Sequence, residues 1–436
     1  MTQKKQNGSI IAIITMMFLF AMISFVTNLA APIGVIWKNQ EGIEGSNLLG
    51  MMGNMMNFLA YLFMGIPAGK LLIKIGYKKT ALLAIAVGLL GVFIQYLSGV
   101  IGVGAQLFGL PSNFYIYLFG AFIAGFSVCM LNTVVNPMLN LLGGGGNKGN
   151  QLIQIGGTCN SLTGTLTPMF VGALIGEVTK ETAISDVNLV LFIAMGVFVV
   201  AFTILSMIPI QDPDADKKKD HIVYEKSPWA FRHFVLGAIA IFIYVGVEVG
   251  IPGTLNFFLE DSAAGNVGAT VAGFVAGTYW FLMLVGRFLG SMIGDKVSSK
   301  AMLTFTSGLG IILILGAILS PVSVKSSMPV FTGSGFAMTQ VPLSALLLVL
   351  CGLCTSIMWG GIFNLATEGL GKYTAAGSGI FMMMVVGGGI LPLVQNWVAD
   401  FSTYMISYLV PMAGMAYMLY YALIGSKNVN KDIPVD

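Results

Sequence analysis

The chain has 436 residues, 56% of them hydrophobic and only 9% charged, with a formal net charge of +3. Soluble domains carry about 25% charged residues, so this composition excludes an ordinary soluble enzyme or nucleic-acid-binding protein and describes a polytopic membrane chain. The net charge is too small to name a partner; the placement of the charges says more.

The elements are uncharged runs of about 20 residues or more, long enough to cross a bilayer as helices. In chain order they are predicted at 10–37, 46–69, 80–101, 113–141, 150–176 and 188–210, then at 233–259, 267–294, 301–321, 338–367, 373–397 and 402–425. The first run follows Lys4 and Lys5. It is too long for a signal-peptide core and lacks an Ala-x-Ala-like cleavage pattern, so it reads as a retained span. Between spans nine and ten, Pro321 to Met338 reads as a loop containing Gly, Ser and Pro. The only long hydrophilic stretch, 211–228, separates two sets of six spans. The expected organisation is a six-helix bundle over 1–210, a cytoplasmic linker over 211–228 and a second six-helix bundle over 229–436. Equal halves suggest the parallel repeats of a 6+6 secondary transporter.

Lys and Arg set the orientation. With the N-terminus inside, all of the 21 basic residues except Lys38, Lys180 and Lys325 fall on the inner side. Both termini are therefore expected in the cytoplasm, in a cell (inner) membrane. The same bias supports an even number of spans, since one span more or fewer would scramble it.

Polar side chains inside spans must find a partner or line water. Span two carries Asn54, Asn57 and Tyr61 along one face; span one has Thr27 and Asn28 ahead of a kinking Pro32. In span four, Asn132 and Asn136 are spaced i, i+4 and so share a face. Span five has Gln154 and Asn160. Asn132 lies eleven residues before Gly143 and Asn160 twelve after Lys148. At 1.5 Å per residue each is about 17 Å from the inner loop, so two neighbouring spans place amides near the midplane. Amides both donate and accept, which suits sugar hydroxyls as well as contacts between helices.

Span seven holds the one carboxylate central to its uncharged segment, Glu248, with Tyr244 one turn before, Pro252 one turn after and Asn256 beyond. An ionised group there costs roughly 3 kcal/mol on insertion scales and is a functional hypothesis by default. Glu248 is open to four roles: moving a proton, coordinating Na⁺, accepting from a substrate hydroxyl, or pairing with a neighbour. Tyr279 and Trp280 open the polar face of span eight, and span ten offers Trp359 and Asn364. Arg287 and Glu368 lie near the inner ends of spans eight and ten and read as gate or topology residues.

The chemistry of an enzyme is missing. Gly143-Gly-Gly-Gly-Asn-Lys148 lacks the Gly-Lys-Ser/Thr of a P-loop. Cys351-x-x-Cys354 has no second pair, and His221 and His233 lie elsewhere. The four cysteines, Cys129, Cys159, Cys351 and Cys354, read as small buried apolar residues. No resident cofactor or metal is expected.

Two loops then carry a resemblance. Gly69-Lys-Leu-Leu-Ile-Lys74-Ile-Gly76-Tyr-Lys-Lys79 follows span two, and Gly290-Ser-Met-Ile-Gly-Asp295-Lys296-Val-Ser-Ser-Lys300 follows span eight. Both are similar to the Gly-x-x-x-Asp-Arg-x-Gly-Arg-Lys loop of the major facilitator superfamily. The second keeps the acid as Asp295; the first has Ile73 there. The resemblance implies gating roles for Lys74 and Asp295, with one gating ion pair missing at Ile73; Arg287 and Glu368 join the expected gating residues by their position near the inner span ends.

Further stretches resemble the fucose–galactose–glucose:proton symporter family of the major facilitators. They are Tyr244-Val-Gly-Val-Glu-Val-Gly250, Tyr279-Trp-Phe-Leu-Met-Leu-Val-Gly-Arg-Phe-Leu-Gly-Ser291, Leu365-Ala-Thr-Glu-Gly-Leu-Gly-Lys-Tyr-Thr-Ala-Ala-Gly-Ser-Gly379 and Val386-Gly-Gly-Gly-Ile-Leu-Pro392. In the first half, Leu131-Asn-Thr-Val-Val-Asn-Pro137 and Asn160-Ser-Leu162 join them. Leu29-Ala30-Ala31 stands where the family reads Leu-Asn-Asp, and Asn132 where it reads Glu. Neither position carries the acid associated with proton coupling and sugar binding in fucose-type members. The asparagine that contacts sugar in such members maps to Asn160.

The expectation is an all-α membrane protein of twelve transmembrane helices, a monomer in the lipid bilayer, with the major facilitator fold of two six-helix halves. It would be a sugar permease, not an enzyme, moving a neutral hexose such as glucose, galactose or fucose by alternating access. Symport with H⁺ or Na⁺ would run through Glu248; the alternatives are a hexose uniporter and an exporter of lipophilic compounds. Expected substrate contacts are Asn132, Asn136, Asn160, Tyr244, Glu248, Asn256, Trp280 and Asn364.

Overall fold

The computed structural model describes residues 2–142, 146–176, 178–179, 181–208, 226–293, 297–332, 335–430 and 433. Eleven helices among the described residues are long and apolar enough to cross a membrane: α1 (Ile10–Lys38), α2 (Met52–Leu72), α3 (Tyr77–Leu97), α4 (Ser112–Asn136), α6 (Ile184–Met207), α7 (Arg232–Glu260), α8 (Ala269–Gly290), α9 (Ser299–Leu319), α10 (Leu343–Thr367), α11 (Gly379–Phe401) and α12 (Tyr404–Gly425). The twelfth long helix is α5 (Gly146–Ile175). Without water to satisfy backbone groups, helices are the solution open to such apolar runs. Two small antiparallel pairs complete the set, β1 (Gln106–Leu107) with β2 (Leu110–Pro111) and β3 (Lys325–Phe331) with β4 (Phe336–Pro342).

The chain forms two compact units, one of Met1–Lys217 with Ala269–Gly273 and one of Lys218–Gly268 with Phe274–Asp436. Most of the predicted linker 211–228, through residue 225, lies outside the described residues. Helices in lipid gain little from apolar burial against one another, so small residues that admit close backbone packing matter. In the first unit a Cβ on Gly91 would collide with the backbone of Ala124, and one on Gly125 with the carbonyl of Asn57. In the second, a Cβ on Gly387 would run into the Phe242 carbonyl, and one on Gly352 into the Tyr279 carbonyl. These contacts draw α3 and α2 onto α4, α7 onto α11, and α8 onto α10.

Several spans are interrupted. The first helix of α1 ends at Asn28 and the next starts at Ala30, with Pro32 in its first turn. Span α10 consists of Leu343–Thr355 and Met358–Thr367, with Ser356 in the break. Helix α7 instead continues through Pro252.

The segment between α9 and α10 corrects the sequence reading. Residues 325–342 form a hairpin with register Lys325↔Pro342 through Phe331↔Phe336, and α10 begins at Leu343, not at 338. Along β3, Met328 and Val330 are buried while Ser327 and Pro329 are exposed. This alternation of period two is the pleat of a strand with one covered face. The second strand, through Val341 and Pro342, is apolar enough to merge with the following helix when read by hydropathy alone.

Candidate functional site

In the second unit, three helices converge on Glu248. Tyr244 and Glu248 lie one turn apart on α7, and the Tyr244 hydroxyl donates to Glu248 Oε1 at 2.9 Å. Arg287 Nη2 of α8 lies 3.3 Å from the same oxygen. The pair is largely enclosed, with side-chain exposures of 17% for Arg287 and 13% for Glu248. The costly charge is thus matched by an opposite charge and a hydroxyl. A buried pair of this kind does little for net stability, but removing one partner leaves an uncompensated ion.

The break in α10 supplies a further anchor. Arg287 Nε donates to the Ser356 carbonyl at 3.4 Å. That carbonyl lies in the break between the two helical segments of α10. Gly286 permits the approach, because a Cβ there would overlap the Ser356 hydroxyl. Trp359, one turn past the break, packs at 6.3 Å from the Tyr244 ring. Tyr279 Oη and Thr355 Oγ1 share a hydrogen bond of 2.9 Å. Trp280 stands edge-on to Tyr279 at 5.6 Å. Both contacts to Glu248 fall on Oε1; among the described residues Oε2 accepts no hydrogen bond. Among the described residues, then, two donors hold one carboxylate oxygen and none holds the other.

In the first unit the structure ties the predicted amides into the fold. Asn132 Nδ2 donates to the Tyr61 hydroxyl of α2 at 2.7 Å. Asn136 Nδ2 donates to the Asn132 carbonyl at 3.0 Å. Asn160 Nδ2 donates to the Phe20 carbonyl of α1 at 3.1 Å. Each amide thus acts in part as a link between or along helices, while the Oδ1 atoms of Asn132 and Asn160 accept no hydrogen bond among the described residues. Asn57 of α2 is buried, and its Oδ1 has no partner among the described residues.

The other predicted positions are more dispersed. Asn256 is buried two turns beyond Glu248, its Oδ1 without a partner among the described residues. Asn364 is exposed. Lys74 is exposed near the end of the helix Met52–Ile75. Glu368 is exposed past the end of α10, and its backbone carbonyl accepts from His233 Nε2 at 2.9 Å. Asp295 lies outside the described residues.

The sequence reading placed Arg287 near the inner end of its span and did not join it to Glu248. A signal existed: two opposite charges in consecutive spans each need a partner inside the membrane. The Ser356 carbonyl left no such signal.

No cluster of three His, Cys, Asp or Glu that could hold a metal occurs among the described residues. Cys129, Cys351 and Cys354 are buried, Cys159 is half-buried, and all four are free thiols. Eleven long apolar helices among the described residues, an enclosed ion pair in the second unit and amides within the spans of the first are the features of a multi-pass membrane transporter. The chain belongs to the Major Facilitator Superfamily, whose sequence profile matches residues 11–393.

Among its relatives, a "Glucose/galactose transporter" of Brucella abortus is 32% identical over 379 residues, covering 85% of this chain and 84% of that protein. The "L-fucose-proton symporter" of Escherichia coli is 24% identical over 413 residues, covering 88% and 85%. The crystal structure of the E. coli fucose:proton symporter superposes with a TM-score of 0.66 at 20% identity, covering 97% of this chain and 100% of that one. At that identity the superposition speaks for the fold.

Proposed function

We propose that this chain is a sugar permease that takes up a neutral hexose of the glucose, galactose or fucose type by alternating access, in symport with H⁺ or Na⁺. The observation that carries the reading is the arrangement at Glu248. Tyr244 and Arg287 hold one carboxylate oxygen and leave the other to a sugar hydroxyl, with Trp280 and Trp359 nearby as ring surfaces. In the first unit, Asn132, Asn136 and Asn160 are the proposed hydrogen-bonding partners for sugar hydroxyls. Extended similarity to a protein named glucose/galactose transporter supports the same substrate class. In this reading a monomer sits in the cell (inner) membrane with both termini in the cytoplasm, an orientation that the distribution of Lys and Arg supports. Lys74, Arg287, Asp295 and Glu368 serve the gates.

The Arg287 pairing favours one alternative for coupling. In that alternative, Arg287 already neutralises Glu248, the carboxylate holds sugar and the protein works as a hexose uniporter.

Reconstitution separates the two. Proteoliposomes are assayed for glucose, galactose and fucose uptake with and without Na⁺ and proton gradients, and for counterflow, with wild type and Glu248→Gln. Loss of accumulation with counterflow intact makes Glu248 the coupling group. Loss of both makes it a sugar ligand. Full activity of Glu248→Gln in both assays removes Glu248 from the mechanism, and absence of flux with every sugar overturns the permease reading.

A further inference from the structure

We propose that the β3–β4 hairpin is a positioning element for the substrate-facing turn of α8, and that Thr278 is the residue through which it acts. The inference rests on the reading of Trp280 as a sugar contact. Thr278 is buried, and its hydroxyl is used twice. It donates to the Phe274 carbonyl in its own helix at 2.8 Å and accepts from the backbone N–H of Phe331 in β3 at 2.9 Å. One turn along, Phe281 stacks on Phe331 at 4.7 Å, with an interplanar angle of 18°. Phe336, the cross-strand partner of Phe331, closes on both rings at 5.4 Å.

The hairpin therefore grips α8 at positions 278 and 281, which share one face of the helix. Tyr279 and Trp280 lie between those two positions, and at 100° per residue they project to other faces. On that other side, Tyr279 is bound to Thr355 of α10, and Gly352 lets α10 press against the Tyr279 carbonyl. Strand β4 itself runs through Pro342 into Leu343, the first residue of α10. Hairpin, α10 and α8 thus form a closed circuit around one helical turn. An isolated two-stranded hairpin is marginal in water, so this one owes its order to what it is docked on. The coupling runs both ways: loosening the hairpin frees the turn that carries Trp280.

Thr278→Val keeps the shape and removes the hydroxyl; Thr278→Ser keeps the hydroxyl. In proteoliposomes, Thr278→Val should raise the KM for glucose at least fivefold with kcat within twofold of wild type, and Thr278→Ser should restore it. A second readout does not depend on sugar. The chain has five tryptophans, and in a variant keeping only Trp280, Thr278→Val should at least double the acrylamide quenching constant, again reversed by Ser. Monodisperse elution from size exclusion controls for folding, and Phe281→Leu, which weakens the aromatic contact alone, should move both readouts in the same direction by less. If Thr278→Val only lowers the melting temperature and leaves KM and quenching unchanged, or if Ser does not rescue, the positioning role is wrong. If quenching responds as expected while wild type transports no sugar, the hairpin proposal stands and the sugar reading of Trp280 falls.

Discussion

At the scale of single residues the central fact is that Glu248 is not alone. Its cost in an apolar span was evident from the sequence, since no other carboxylate lies so centrally in its segment. Its partner was harder to see, because helix ends are uncertain and Arg287 lies only six residues before Ile293, the last residue of its helix. A charge so placed reads as easily as an interfacial anchor. The pairing makes a prediction about stability. Arg287→Ala should destabilise the purified carrier by about 3–5 kcal/mol, because it strands a carboxylate in the interior. Adding Glu248→Gln should recover much of that loss. Thermal unfolding in detergent, compared across the two singles and the double, measures the coupling, and additive losses would show that the two side chains do not interact.

At the scale of elements, hydropathy located the spans well because lipid imposes length and composition on every one of them. It could not find their interruptions. The break in α10 falls at Ser356-Ile357, with neither Pro nor Gly to mark it. The β3–β4 hairpin was hidden for the opposite reason. Its second strand is apolar and abuts a helix, so a window average assigns it to the span. Glycine packing is a third property that one sequence does not rank. Among 56 glycines, Gly387 faces the Phe242 carbonyl while Gly196 of α6 has nothing within 4 Å of an added Cβ. Gly387→Ala should sharply reduce the yield of folded carrier, as an overpacked helix contact costs about 1–3 kcal/mol or more. Gly196→Ala should express like wild type. Fluorescence-detected size exclusion of both variants compares them directly, and equal yields would contradict the close α7–α11 contact.

At the scale of the whole molecule, the charges set the expected topology, because basic residues resist translocation. The expectation is direct. Lys325→Cys should react with an impermeant maleimide in intact cells, and Lys427→Cys only after permeabilisation. The native cysteines, buried or half-buried, give a low background for this measurement. Labelling with the opposite sidedness would invert the topology. What the sequence could not deliver at this scale was the electrical character of the site, and here the ion pair has a consequence. A carrier whose central carboxylate travels unpaired drags a charge through the membrane field whenever it reorients empty. With Arg287 bound to Glu248, that element carries no net charge, so the potential acts on the coupled cation and spares the empty return step. Glu248→Gln exposes the arginine to the field, worth up to about 2.3 kcal/mol per 100 mV for a full crossing. Reorientation of the sugar-free variant, followed as labelling of a cysteine introduced at the cavity mouth under an imposed potassium diffusion potential, should accordingly become voltage-sensitive, whereas that of the sugar-free wild type should not.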